Sequence, residues 1–165
     1  MKMMKKVAAV MAAVMVFTAG CGAEESGSRE PVKEIVIGDV VNQVKEVNPV
    51  ADERVIDDFA MENEMGLNPA DLAEYEGIIT NSQNDCALIF VAKTKEGKTR
   101  EVKQALTDYL DSLTSNDLYV EFADKIEKAK EAKVLIYDDY VVLVIAGLDT
   151  DYSDVTAAIS QAFGE

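Results

Sequence analysis

Between residues 34 and 65 the hydrophobic residues recur at helical spacing and are separated by acidic ones. The segment "EIVIGDVVNQVKEV" (34–47) predicts a helix that begins at Gly38 or Asp39, and "DERVIDDFAMENEM" (52–65) repeats the pattern. The apolar faces are predicted to carry Val40, Val41, Val44 and Val47 in the first helix and Val55, Ile56 and Phe59 in the second.

A capping signal and a long apolar run come next. Asn68 before Pro69 is typical of a helix start, so a short helix is predicted to open at Leu72. The segment "CALIFVAK" (86–93) is apolar up to its last residue, rich in strand formers and bounded by polar segments. This pattern predicts a buried β-strand.

The remaining pattern predicts two helices, a hairpin and a closing helix. The segment "TREVKQALTDYLDSL" (99–113) has helical spacing, and Asp117 can cap the helix that follows. Two apolar runs flank Asp138-Asp139, which predicts a two-residue β-hairpin, and "DVTAAISQAFG" (154–164) predicts a helix ended by its glycine. The inward residues are predicted to be Val102, Leu106, Tyr109, Leu110 and Leu113, then Leu118, Phe122, Ile126 and Ala129, and finally Val155, Ile159, Ala162 and Phe163.

The order strand, helix, helix, hairpin, helix predicts an α+β domain, in which amphipathic helices pack on a small, mainly antiparallel sheet. Two nearly unbroken apolar strands indicate that helices cover much of both faces of this sheet. We assign the domain to residues 34–165, a length that is ordinary for a single domain.

The N-terminal residues have a different pattern. Three lysines precede the apolar run "VAAVMAAVMVF" (7–17), and together they form the n-region and h-region of a secretory signal. The apolar run is too short to cross a bilayer as a helix, which takes about 20 residues. Residues 1–20 are therefore predicted to be a signal peptide. The polar residues 21–33 are predicted to be a flexible tether.

The segment "TAGC" (18–21) resembles the lipobox of bacterial lipoproteins, in which a signal peptidase cuts before the cysteine and the thiol is linked to diacylglycerol. Ala19 and Gly20 match the small residues before the cut. Thr18 departs from the aliphatic residue that the pattern favours, which bears on the efficiency of cleavage. The resemblance implies that Cys21 is the lipid attachment site. Diacylglycerol plus an amide-linked chain such as palmitate would anchor the protein on the outer face of the bacterial cytoplasmic membrane.

Cleavage before Cys21 would leave 145 of the 165 residues and a more acidic chain. The predicted signal contains three of the 16 Lys and Arg residues and none of the 31 Asp and Glu residues, so the remainder has a formal charge of −18. Such a surface repels nucleic acid and anionic head groups, so we expect membrane contact through the lipid alone. The expected partner is an unidentified protein or a cationic ligand.

The segments "CALIFVAK", "REVKQALTDYLDSL", "LYVEFADKIEKA" and "YVVLVIAG", in this order, resemble the bacterial lipoproteins of domain-of-unknown-function family 4358, which occur mainly in Gram-positive Firmicutes. The resemblance extends over about residues 35–163 and includes the lipoprotein signal. One departure lies in the hairpin, where family members often carry Gly-Asn and this chain has Asp138-Asp139. The resemblance implies a membrane location and a fold, but no established activity and no catalytic residues.

Several common catalytic sites are excluded by composition. The chain contains no histidine, which rules out Ser-His-Asp catalysis, Cys-His catalysis and imidazole metal sites. It has no G-x-S-x-G, phosphate-binding glycine loop or H-E-x-x-H motif, and no serine is followed by lysine three residues later. We therefore assign no catalytic, cofactor-binding or metal-binding residue.

Two other features invite a chemical role. Cys86 is the one cysteine besides Cys21, but it follows Asp85 and opens a predicted buried strand, so its pKa should be raised and its side chain is predicted to fill the core. The segment "DTDYSD" (149–154) suggests calcium, yet an EF-hand loop needs glycine where Asp154 stands. Capping of the last helix by one of its polar side chains, Asp151 or Ser153, is the favoured interpretation.

The favoured function is a non-enzymatic binding or accessory module, anchored to the membrane through Cys21. The alternative is an envelope enzyme that uses carboxylates or a bound metal, because 31 acidic residues make close pairs inevitable. A sugar-cleaving enzyme is disfavoured, since the chain has no tryptophan to form a sugar-binding platform. A purely structural envelope component remains open.

Overall fold

Strands and helices follow one another through the part of the chain that the structure describes, residues 35–115 and 122–165 of a computed structural model. The strands are β1 (Glu53–Val55), β2 (Leu72–Thr80), β3 (Leu88–Thr94), β4 (Lys133–Tyr137) and β5 (Tyr140–Ile145). The helices are α1 (Ile37–Val47), α2 (Asp58–Asn63), α3 (Thr99–Thr114), α4 (Ala123–Glu131) and α5 (Tyr152–Phe163), with a 3₁₀ turn at Pro69–Asp71. The described residues belong to one compact unit, Lys33–Glu165.

The five described strands form one sheet in the order β1-β2-β3-β5-β4, and every neighbouring pair is antiparallel. The central strands β3 and β5 are buried on both faces. Every residue of β5 is buried, and Lys93 is the one residue of β3 that is not. This confirms that the continuous apolar runs in the sequence belong to strands that are covered on both sides.

Helices cover the two faces of the sheet and form a hydrophobic core on each. On one face α1 and α5 pack together and against the sheet, whereas α2, α3 and α4 lie on the other face. The predicted α+β class is confirmed, and the sheet has two strands more than predicted. The first core includes Ile37, Val44, Ile89, Val142 and Ile159, and the second includes Met61, Phe90, Leu106 and Leu143.

The helices predicted around the central strands are present, with differences at their ends. α1 begins at Ile37, α3 ends one residue later than predicted, and α5 begins two residues earlier. Three side chains predicted to face inward are instead 37–40% exposed, because each lies at the end of its helix, where the packing partners also end. These are Val47, Leu113 and Phe122. Asp117 and Leu118 lie outside the described residues.

The helix predicted over residues 52–65 is wrong. Residues Glu53–Val55 instead form β1, which pairs with β2, and only Asp58–Asn63 are helical. The cause is a cap within the segment, since the Asp57 carboxylate accepts a hydrogen bond from the Ala60 N–H at 2.9 Å and starts α2 there. Ile56 is buried as predicted, but Val55 and Phe59 are 66% and 69% exposed.

The helix predicted to open at Leu72 is also wrong. The Asn68 side chain does accept a hydrogen bond from the Ala70 N–H, at 3.1 Å, but the turn that follows ends at Asp71. Leu72 begins β2, which pairs with β3 through registers such as Ile78 opposite Ile89. Pairing with the central strand therefore overrides the local helix signal.

The hairpin and the final glycine match the sequence prediction. Asp138 has a positive φ of 52°, and Gly164 ends α5 with a φ of 80°. The predicted cap of α5 is only partly right, because Asp151 occupies the N-cap position without a hydrogen bond from its side chain, and Ser153 lies inside the helix.

The predicted signal peptide (1–20) and tether (21–33) lie outside the described residues. Within the described residues, no helix has the length and apolarity needed to cross a bilayer.

Candidate functional site

Cys21, the predicted lipid attachment site, lies outside the described residues. The other cysteine, Cys86, lies just before β3 and beside a cavity between α3, α4 and the edge of the sheet. It is half-buried and packs against the core on the α3 face, so the prediction that its side chain fills the core is confirmed only in part. This cavity and the polar side chains around it form the candidate site.

The Cys86 thiol is protonated at neutral pH. Its S–H donates a hydrogen bond to the Ala146 carbonyl oxygen, with an S···O distance of 3.3 Å. Burial, followed by the negative charge of Asp85, raises its pKa to about 11, which outweighs the opposite effect of Lys125 and Lys128. The direction agrees with the sequence prediction. A thiol in this form is a poor nucleophile.

The Asp85 carboxylate holds two backbone segments together. Its Oδ1 accepts hydrogen bonds from the Cys86 N–H at 2.8 Å and from the Leu148 N–H at 3.1 Å. Gly147 lies so close that a Cβ atom on it would be 3.1 Å from Oδ1. Asp85 therefore fixes the turn before β3 to the loop after β5, and its hydrogen bonds are those of a structural residue.

A second set of hydrogen bonds joins α4 to the same loop. The Tyr152 hydroxyl accepts from the Ala146 N–H at 3.1 Å and donates to the Lys128 carbonyl oxygen at 2.6 Å. The Lys128 ammonium donates to the Thr150 carbonyl oxygen at 2.6 Å. Burial raises the pKa of Tyr152 to about 12, so the hydroxyl stays a donor throughout the neutral range.

The cavity itself has a volume of about 330 Å³ and a mainly apolar lining. At its rim the Lys125 ammonium donates a hydrogen bond to the Gln83 carbonyl oxygen and lies 5.1 Å from the centre of the Phe122 ring. An apolar group of modest size fits such a space, with a cation at its entrance. The apolar lining includes Ile79, Tyr109, Leu113, Phe122, Ile126 and Ile145.

A larger, more acidic groove of about 670 Å³ lies between α3 and the segment that follows α2. Glu64, Glu101 and Asp108 line it together with Arg100. Glu64 is paired with Arg54, whose two guanidinium nitrogens lie 3.2 and 2.7 Å from the two carboxylate oxygens. Among the described residues, no three acidic or cysteine side chains are close enough together to hold a metal ion. The three aspartates of the "DTDYSD" segment, which the structure describes, therefore do not form such a group.

Sequence reasoning did not find the residues that surround Cys86. Lys125, Tyr109 and Tyr152 come from three different helices, and their spacing in the sequence carries no motif. Tyr109 and Lys125 were interpretable only as parts of amphipathic helices, and Tyr152 only as part of the "DTDYSD" segment before the last predicted helix. The one local signal was Asp85 beside Cys86, which indicated a raised pKa but not a cavity.

Comparison with known proteins gives one match. The family model described as "Domain of unknown function (DUF4358)" matches residues 45–146, which extend from the last turn of α1 to the end of β5. No curated protein and no solved structure matches the chain.

Proposed function

Because the chain belongs to the family described as a domain of unknown function (DUF4358), a description that names no activity, we propose a function from its own residues. The protein is a lipoprotein on the outer face of the bacterial cytoplasmic membrane, anchored through Cys21. Its folded domain is a non-enzymatic module that binds a protein partner or a cationic ligand.

The segment that ends at Cys21 carries the proposal. Three lysines, an apolar run and the small residues Ala19 and Gly20 precede this cysteine, and a polar stretch follows it. Two or three acyl chains at one site give stable anchoring, whereas a single chain gives only marginal membrane binding. The domain begins after the tether, so it would be held near the membrane and stay free to meet a partner.

Charge and cavity chemistry support the binding role. Without the predicted signal peptide the chain has a formal charge of −18, which attracts a basic surface over a distance of about one Debye length, roughly 8–10 Å. The cavity beside Cys86 has an apolar lining that can take an apolar side chain of that partner. The thiol, Asp85 and Tyr152 already make hydrogen bonds within the domain, which suits a binding surface better than a reaction centre.

Replacement of the cysteine tests the anchor. Cys21→Ser is expected to leave the precursor uncut and to abolish incorporation of a labelled fatty acid, measured on protein from the membrane fraction. Cys86→Ser is the matched control, because it removes the other thiol and should leave labelling unchanged. Thr18→Leu introduces the residue type that the lipobox favours and should increase the fraction of the precursor that is cleaved. Fatty-acid labelling that persists in Cys21→Ser would overturn the anchor.

Site-specific photo-crosslinking tests the binding role in native membranes. A photoreactive residue in place of Leu113, at the cavity, is expected to form an adduct that weakens as salt is raised, since the attraction is electrostatic. The control is Val36, an exposed residue just before α1. The binding role is contradicted if neither position gives an adduct, or if both give the same one.

A further inference from the structure

The two outer strands of the sheet differ in length and in chemistry. β1 has three residues, two of them the charged Glu53 and Arg54, which are typical of a protected edge. β4 has five residues and carries Val134, Leu135 and Ile136 in succession. Ile136 is 42% exposed, and the other two are half-buried. Among the described strands, β4 is therefore the apolar edge, and such an edge is open to pairing with another strand.

The register of the hairpin shows which backbone groups of β4 face outward. Tyr137 pairs with Tyr140 across the two-residue turn, and hydrogen-bonded and non-hydrogen-bonded pairs alternate from there. Lys133, Leu135 and Tyr137 consequently direct their N–H and C=O groups toward β5. Those of Val134 and Ile136 point away from the sheet, where they can bond another strand.

Helices α3 and α5 contact parts of β4, but a groove lies beside the strand on each face. On the α5 side a groove of about 480 Å³ is lined by Leu135, Val155 and Ile159. On the α3 side a groove of about 510 Å³ is lined by Val134 and Leu110. The helix layers therefore leave Val134 and Leu135 only half-buried, one on each face, so a second strand with its own side chains has room to lie alongside.

We propose that β4 pairs in antiparallel orientation with β4 of a second copy of this chain, about a two-fold axis that passes through Leu135. The two five-stranded sheets then form one continuous ten-stranded sheet. In this register Leu135 lies opposite Leu135 of the second copy, and Val134 lies opposite Ile136 of the second copy. Four backbone hydrogen bonds result, two from each Val134–Ile136 pair.

Charge complementarity along the strand favours this partner and this orientation. β4 begins with Lys133 and is followed by Asp138, so its two ends carry opposite charges. Antiparallel self-pairing puts Lys133 opposite Tyr137 and next to Asp138 of the second copy, at both ends of the interface. Parallel self-pairing would put the two Lys133 side chains next to each other, which is destabilising. The central pairs are all apolar, so each exposed Ile136 would be covered by a valine.

A pair of five-residue strands is smaller than a standard protein–protein interface, which buries roughly 1,600 Å². We therefore expect a reversible dimer, which cysteine cross-linking captures. The experiment uses the full chain with Cys86→Ser as the parent, and adds Leu135→Cys. Under mild oxidation this variant is expected to give a dimer on a non-reducing gel, because the Cα atoms of a directly opposed non-hydrogen-bonded pair lie about 4.5 Å apart, within disulfide range.

Ile136→Cys in the same parent is the matched control. Its counterpart in the second copy lies two residues further along the strand, beyond the roughly 7 Å Cα–Cα limit for a disulfide, so this variant should form no cross-link and should run as a monomer on the non-reducing gel. The parent itself, which retains Cys21, measures the background. The proposal is overturned if the Leu135→Cys chain runs as a monomer on the non-reducing gel, or if the two variants cross-link equally. It is also overturned if Leu135→Cys cross-links to a different protein.

Val134→Pro tests the backbone hydrogen bonds. Proline removes an outward-facing N–H and leaves the bonds to β5 in place, so it is tolerated at an edge strand. In the Leu135→Cys background it should abolish the dimer, while circular dichroism reports that the fold is retained. If this variant unfolds, Ile136→Lys replaces it, since a lysine at an exposed edge position opposes strand pairing without entering the core. Dimer formation that survives in a folded variant contradicts the proposal.

Cross-linking through Leu135→Cys does not depend on lipidation of Cys21. The test of the dimer therefore fails or succeeds independently of the proposed anchor.

Discussion

Asn48 and Gly147 are joined by a buried hydrogen bond, in which the Gly147 N–H donates to Asn48 Oδ1 at 2.8 Å. The Nδ2 group of the same side chain donates to the Ile145 carbonyl oxygen at 3.1 Å, and Asn48 is fully buried. Asn48 directly follows α1, whereas Ile145 ends β5. One amide therefore satisfies the backbone at the end of a central strand and fixes the first helix to it.

Asn48→Ala is expected to lower the free energy of unfolding by about 2–4 kcal/mol, because it leaves a buried N–H and a buried C=O without partners. Urea denaturation measures the change. Asn42→Ala is the matched control, since Asn42 is exposed on α1 and its replacement should change stability by less than about 0.5 kcal/mol. Equal effects of the two substitutions would contradict a special role for Asn48.

Two glycines offer a test of packing on either side of β2. A Cβ atom on Gly77 would lie 2.7 Å from Phe90 Cδ2 and 3.0 Å from Ile56 Cδ1, so Gly77→Ala must displace core side chains. We expect it to cost about 1–3 kcal/mol of unfolding free energy. Gly38→Ala would meet only the end of the flexible Glu76 side chain, at 3.0 Å, and alanine favours the helix. Thermal unfolding should therefore show Gly77→Ala melting lower than the parent and Gly38→Ala at or above it.

The parts of the fold that were predictable from sequence are those in which burial is uniform along an element. β3 and β5 are buried on both faces, so their apolar runs are continuous, and α3 has one buried stripe with helical period. β2 mixes buried positions with exposed acidic ones, and its pairs with β3 join residues that are 9 to 22 positions apart, from Ile79–Leu88 to Leu72–Thr94, so no local pattern identified it. Val55 and Phe59 have helical spacing by coincidence, because a strand, a cap and a helix divide the segment between them.

The candidate site was less predictable than the fold, for a related reason. The cavity beside Cys86 is formed by side chains from two strands, two helices and the turn before β3. Its rim cation, Lys125, is one of three lysines in a highly charged, solvated helix and differs from the others only in position. Sequence patterns report which face of an element is buried, whereas a cavity depends on how separate elements meet.

The turn between β4 and β5 stores backbone strain at one of its two aspartates. Asp138 has a φ of 52°, a conformation that costs a residue with a Cβ atom roughly 1–2 kcal/mol. Asp138→Gly should relieve this strain and raise the midpoint of thermal unfolding. Asp139 does not have a positive φ and is paired with Lys93 at 3.8 Å, so Asp139→Gly should lower the midpoint. A higher midpoint for Asp139→Gly than for Asp138→Gly would contradict this assignment of the strain.

The raised pKa of Cys86 predicts slow alkylation near neutral pH. Burial shifts the pKa from its ordinary value of 9.0 to about 11, and only the thiolate reacts. The rate of reaction with iodoacetamide, followed by mass spectrometry of the peptide that contains Cys86, should rise with pH toward a midpoint near 11 in the folded chain. In urea the same peptide should show a midpoint near 9.0. Because the measurement is made on the peptide that contains Cys86, alkylation of Cys21 does not contribute to the rate.

The same shift has a consequence for stability at alkaline pH. The folded state binds the thiol proton more tightly than the unfolded state, so this contribution to stability is fully present below about pH 9 and is lost as pH rises through about 11. The free energy of unfolding should therefore fall more steeply between these values in the parent than in Cys86→Ala. Buried tyrosines also titrate in this range, so the test is the difference between the two proteins rather than either curve alone. Parallel curves would show that the Cys86 thiol ionises equally readily in both states.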